Sequence, residues 1–95
     1  MSVKIMIRRT VPPEKISVLG PLLKQLRNLA VNQSGYISGE TLKKYDEPGS
    51  YLVISTWQNI DDWKNWVSNP NRMEIQSQID LLTGIPTETE IYTYS

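Results

Sequence analysis

An α+β fold in the order β-α-β-β-α-β, one four-stranded antiparallel sheet with its helices on a single face, is predicted for this chain by three observations. Residues 3–9 alternate in polarity, residues 16–30 repeat apolar side chains at three- and four-residue steps, and an acidic Pro-Gly turn at 46–49 joins two β-rich runs.

The first strand places Val3, Ile5 and Ile7 on one face and Lys4, Met6 and Arg8 on the other, and Pro12-Pro13 ends it. The following helix buries Ile16, Leu19, Leu22, Leu23, Leu26, Leu29 and Ala30 and turns Lys24, Arg27 and Asn28 to water. Gly20-Pro21 interrupts it, because Pro21 has no amide hydrogen for the Ser17 carbonyl; a kink or a short turn is expected, with a restart at Pro21. Residues 36–45 and 51–58 form a hairpin around Asp46-Glu47-Pro48-Gly49. Its second strand, Tyr51 to Trp57, carries large side chains on both faces, as a sheet covered on both sides requires. Asn59 caps the next helix, with Asp61 and Asp62 in its first turn and Trp63, Trp66 and Val67 on its buried edge. Asn69-Pro70 starts a further helix that points Met73, Ile75, Ile79 and Leu82 inward and stops at Gly84. Thr87 to Tyr94 supplies the last strand. The whole is the split βαβ, or ferredoxin-like, arrangement, expected as one domain over residues 1–95.

The other sheet face is apolar in the third strand, and no further element remains to cover it. A homodimer pressing sheet against sheet is the economical solution. Ten Lys+Arg balance ten Asp+Glu, which argues against nucleic acid as a partner. The balance is uneven along the chain: the first 45 residues carry eight cations and two acids, which suggests complementary surfaces within or between protomers. With no Cys and no His, thiolate nucleophiles, imidazole bases and the usual metal and haem ligands are excluded, so no metal is expected. The longest clean apolar run, Tyr51 to Ile54, is too short for a membrane span or a signal peptide, which predicts a cytoplasmic protein without membrane contact.

Gly35-Tyr36-Ile37-Ser38-Gly39-Glu40-Thr41, the Asp46-Glu47-Pro48 turn, the strand ending in Trp57, Asp61-Asp62-Trp63 with Trp66, and Ser68-Asn69-Pro70 together resemble the antibiotic biosynthesis monooxygenase family, over nearly the whole chain. The resemblance implies a dimeric α/β barrel. In its haem-degrading branch a Trp nine positions after the strand-ending Trp presses on the porphyrin, a His ten positions later binds iron, and an Asn lies near the end of the first strand. Trp57 and Trp66 keep that spacing, but the ligand position is Gln76 and the Asn position falls on or beside Arg8, so haem degradation is disfavoured.

The cofactor-free branch implies oxygenation of a small quinol- or anthrone-like aromatic. Trp66, Arg8 and Glu40 are then the candidate catalytic residues: a stacking wall, a cation for a phenolate, and a base. Tyr51, Asn65 and Gln76 are the candidate substrate-binding residues. Each has a plainer reading. Arg8 and Arg9 are consecutive on a strand, so one must face each side, and either suits a surface ion pair. Trp57 suits the core, Trp66 can simply fill space over the sheet, and Asn65 and Gln76 are ordinary surface polar residues. The alternative function is accordingly a non-catalytic small-molecule-binding or structural homodimer of the same fold.

Overall fold

The computed structural model describes residues 1–95. Strand β1 (Val3–Thr10) leads through a 3-10 turn (Pro13–Lys15) into helix α1 (Ile16–Ala30). Strands β2 (Tyr36–Lys43) and β3 (Ser50–Trp57) form the hairpin, helices α2 (Ile60–Val67) and α3 (Pro70–Thr83) follow, and β4 (Glu88–Thr93) closes the sheet. The strand order is β2-β3-β1-β4, every pairing antiparallel, so the two central strands are β1 and β3. This is the ferredoxin-like β-α-β-β-α-β arrangement.

Directly opposed residues share a face. Val3, Ile5, Ile7 and Arg9 of β1 therefore stand beside Trp57, Ser55, Val53 and Tyr51 of β3 on the helix side. Leu19, Leu22, Leu26 and Ala30 of α1 and Ile75 and Ile79 of α3 close over that side with Trp57 and Trp66 to form the core. Asn59 Oδ1 accepts the Asp62 amide and Asn69 Oδ1 accepts the amides of Asn71 and Arg72, so both predicted caps hold α2 and α3 at their starts. Gly84 ends α3 in the left-handed region at φ 66°, and Gly49 turns the hairpin at φ 92°, where a side chain would be strained.

Two local expectations change. Helix α1 runs unbroken through Pro21 instead of restarting there. Pro21 is exposed and sits in the second turn, and Ser17, whose carbonyl it leaves without an amide partner, is an exposed residue too. Met73 lies 54% exposed, not inward, because the buried stripe of α3 follows Ile75, Ile79 and Thr83.

The opposite face carries Lys4, Met6 and Arg8 of β1, Leu52 and Ile54 of β3, Glu40 and Leu42 of β2 and Glu90 and Tyr92 of β4. Its apolar centre is bordered by charge: Lys4 Nζ donates to Thr56 Oγ1 at 3.1 Å, and Arg8 Nε meets Glu90 Oε1 at 3.4 Å. No helix is long and apolar enough to cross a membrane.

Candidate functional site

Between the helix face of the sheet and the helices lies a cavity of about 70 Å³. Its aromatic wall is continuous. Trp57 closes β3, and Trp66, nine residues later on the inner face of α2, stacks on it with ring centroids 6.2 Å apart and planes inclined by 26°. Tyr36, at the start of β2 beside a bulge, meets Trp57 edge-on at 5.4 Å and 88°. Offset and edge contacts of this kind suit the ring quadrupoles and fix the wall's shape. The Trp57 indole nitrogen donates to Ser55 Oγ at 3.2 Å, which fixes the orientation of this ring against the sheet. Ile7 and Val53 complete the apolar floor.

The polar side is arginine. Arg9 is only 4% exposed; its Nη2 donates to Gln76 Oε1 at 3.0 Å, and its buried Nε has no hydrogen-bond partner. Burial lowers its pKa to about 10; the Arg72 charge pushes the same way and Asp80 opposes both. Gln76 is held in turn, since its Nε2 donates to Asp80 Oδ1 at 2.9 Å and to Thr87 Oγ1 at 3.2 Å. Arg72, Gln76 and Asp80 follow one another at four-residue steps along α3, so a single helix face presents all three. The Arg72 guanidinium lies 6.0 Å from the Trp66 ring centre and donates to the Val67 carbonyl, and burial lowers its pKa.

Of the residues singled out from the sequence, Trp66 forms the cavity wall, and Gln76 reaches the site by fixing Arg9. Arg8 does not face the cavity. Strand alternation puts it opposite Leu52 on the other side of the sheet, paired with Glu90. Glu40 borders the cavity, yet its register partner is Ile54 and it is exposed, so its side chain belongs to the far face. Tyr51 stands opposite Arg9 but borders a separate groove of about 430 Å³ at the sheet's end, together with Arg8, Lys43, Lys44 and Glu88. Asn65 is exposed on α2 and borders neither space; its backbone carbonyl accepts from Ser68 Oγ.

Sequence reasoning missed Arg9 and Arg72. The signal for Arg9 was present: Val3, Ile5 and Ile7 set the inward phase of β1, and the next inward position is Arg9. Arg9 is also the one residue that borders both spaces. No three acidic side chains come together as a metal site would need.

Among solved structures, the fold matches a conserved protein of Methanosarcina mazei Go1 at TM-score 0.94 and 18% identity, covering 100% of this chain and 94% of that one. SnoaB of Streptomyces nogalater, a cofactor-independent oxygenase, matches at TM-score 0.86 and 19% identity, covering 99% and 93%. A Mycobacterium tuberculosis protein matches at 0.90 and 16%, covering 100% and 96%. At these identities the likeness concerns the fold. No curated protein sequence matches the chain. Residues 2–78 match the family described as antibiotic biosynthesis monooxygenase, and with that span the chain belongs to the antibiotic biosynthesis monooxygenase family.

Proposed function

We propose that the chain is a cofactor-independent monooxygenase of a small aromatic quinol, acting in the aromatic-walled cavity. The observation that carries this reading is the stacked Trp57–Trp66 pair with Tyr36 across its edge, in a chain of this family and of the same fold as SnoaB. The reaction needs no external reductant, because the substrate supplies both electrons: a quinol loses two hydrogens, one oxygen atom of O2 enters the ring, and the other leaves as water. The chain's part is to hold the ring against Trp66, favour its anion and keep water from the ring, for which an apolar floor beneath an aromatic wall is suited.

The size of the space narrows the substrate. About 70 Å³ is well below the 300–1,000 Å³ typical of pockets for drug-sized ligands, so one ring fits this reading better than the three fused rings of an anthrone. The same small volume favours the second reading, a non-catalytic homodimer that kept the fold. An oxygen electrode separates them. Oxygen uptake with a methylated hydroquinone above the rate of autoxidation supports the oxygenase, and uptake equal to the protein-free rate overturns it.

We further infer that residues 1–95 act as one domain and that two copies associate through the open sheet face. Met6, Leu42, Leu52, Ile54 and Tyr92 give that face an apolar centre, and nothing else in the chain lies over it.

A further inference from the structure

We propose that Arg9 is an anion-binding residue, and that the ligand of the cavity carries a delocalised oxygen anion, a carboxylate or an ionised phenol, that completes its guanidinium. This rests on the reading of the cavity as the ligand site, and not on the oxygenation chemistry.

Three observations converge. First, Arg9 is buried as a cation without a carboxylate: its single side-chain bond goes to the neutral Gln76 amide, and its Nε is buried with no partner. A guanidinium offers five donors in a flat fork made for two parallel bonds to a planar oxygen anion. Second, the cavity's charge is one-sided. Arg9, Arg27 and Arg72 border it, while its single acidic neighbour, Glu40, occupies a far-face position. Third, the guanidinium is held from behind. Gln76 is fixed by Asp80 and Thr87, so Arg9 is oriented by a chain whose only charge, Asp80, reaches it through an amide. That arrangement steadies the fork and leaves its charge available. A purely structural tie between β1 and α3 is better made by a neutral pair, since a buried cation with no directly bonded counter-charge is unfavourable.

The aromatic wall and this cation together define the ligand class: a single flat ring bearing an ionised oxygen group. Gln76 is a positioning residue in this scheme, because it touches Arg9 and does not border the cavity.

Benzoate and benzamide have nearly the same shape and differ in charge, so titrating the full chain with each by calorimetry tests the proposal. Benzoate is expected to bind at least tenfold more tightly. Arg9→Gln removes that preference, while Arg8→Gln, on the far face, keeps it. In the wild-type protein the Arg9 Nε–Hε proton resonance, identified by its absence in Arg9→Lys, is expected to shift with benzoate and stay put with benzamide; this readout needs no folded Arg9→Gln. A third probe, 4-nitrophenol, identifies which anion the fork prefers: a bound dye that stays yellow below its free pKa points to a phenolate, and benzoate binding without that colour points to a carboxylate. Equal binding of benzoate and benzamide, a preference that survives Arg9→Gln, or an Arg9 resonance unmoved by benzoate at tens of millimolar each overturns the proposal. Arg9-dependent benzoate binding without oxygen uptake leaves the anion site standing and removes the oxygenase. Oxygen uptake undiminished in Arg9→Gln does the reverse.

Discussion

Arg9 Nη2 on β1 donates to Gln76 Oε1 on α3 across 3.0 Å, so the one side-chain bond of a buried cation ends on an amide. The pairing ties sheet to helix and leaves the guanidinium with no carboxylate bonded to it, since Asp80 acts on it only from beyond Gln76. Burial is the largest cause of the fall in the Arg9 pKa to about 10, and a fall of that size corresponds to roughly 3 kcal/mol set against the charged form. Replacing Arg9 by Met keeps the length of the side chain and removes the charge. Its expected effect is a stability equal to wild type or higher by up to about 2 kcal/mol in urea unfolding, with benzoate binding lost. A loss above about 2 kcal/mol would mark the residue as a structural tie.

The same shift sets a pH dependence. In the folded chain Arg9 gives up its proton at about 10, lower than in the unfolded chain, so above that pH the unfolded state binds more protons and stability contributed by this group rises with pH. The gap in unfolding free energy between Arg9→Met and wild type is therefore expected to move in favour of wild type as pH climbs above 10. Anion binding follows the opposite sign and fades over the same window. Asp80 and Arg72 on α3 and Tyr51 on β3 are the titratable neighbours, and comparing the two proteins at each pH cancels their contribution to first order. A gap that is constant from pH 8 to 11 would contradict the assignment.

How far the site was legible in the sequence comes down to phase. The β1 alternation that correctly buried Val3 and Ile5 also assigned Arg9 inward, but the family comparison drew attention to Arg8, one residue off and on the other face. A one-residue slip inverts every side chain of a strand. Glu40 failed for the same reason, and there the bulge between Tyr36 and Ser38 obscures the phase of β2. The caps at Asn59 and Asn69 and the turn glycines were readable because each is a local rule. Arg72 was not, since its contact with the Trp66 ring joins two helices whose relative placement no local pattern encodes.

Trp66 serves both the core and the ligand, and substitutions can separate the two. Trp66→Ala removes the partner of Trp57 and is expected to cost about 3–5 kcal/mol. Trp66→Phe retains a ring and should cost less while keeping benzoate binding within a few fold. Thermal unfolding gives the first number and calorimetry the second. Unchanged ligand affinity in a folded Trp66→Ala protein would place the ligand elsewhere, the groove beside Tyr51 being the next candidate.

Gly49 stands at φ 92°, and a Cβ there would collide with the backbone carbonyl of Val11, whose amide donates to the Gly49 carbonyl at 2.9 Å. This link docks the β2–β3 turn onto the end of β1, two residues beyond Arg9. Gly49→Ala combines strain with a backbone clash and is expected to destabilise by about 2 kcal/mol or more, measurable by urea unfolding. A change under 0.5 kcal/mol would show that the turn can shift freely.

The open sheet face yields the last prediction. Leu52 is opposed by Leu42 on one side and by Arg8 on the other, at the apolar centre of a face that no other part of the chain covers. Leu42 is 45% exposed there, and Tyr92 hydrogen-bonds to Glu90 at the β4 edge. In a single protomer, Leu52→Asp places a carboxylate next to Arg8 and in water, which the fold can tolerate. Between two apposed sheets the same carboxylate, present twice across the symmetry axis, would be buried with too few counter-charges and would split the pair. Wild-type protein is therefore expected to sediment as a dimer at micromolar concentration, and Leu52→Asp as a monomer with an unchanged far-ultraviolet dichroism spectrum. A dimer that survives Leu52→Asp would move the interface off this face, and a wild-type monomer would leave the apolar centre for some other partner.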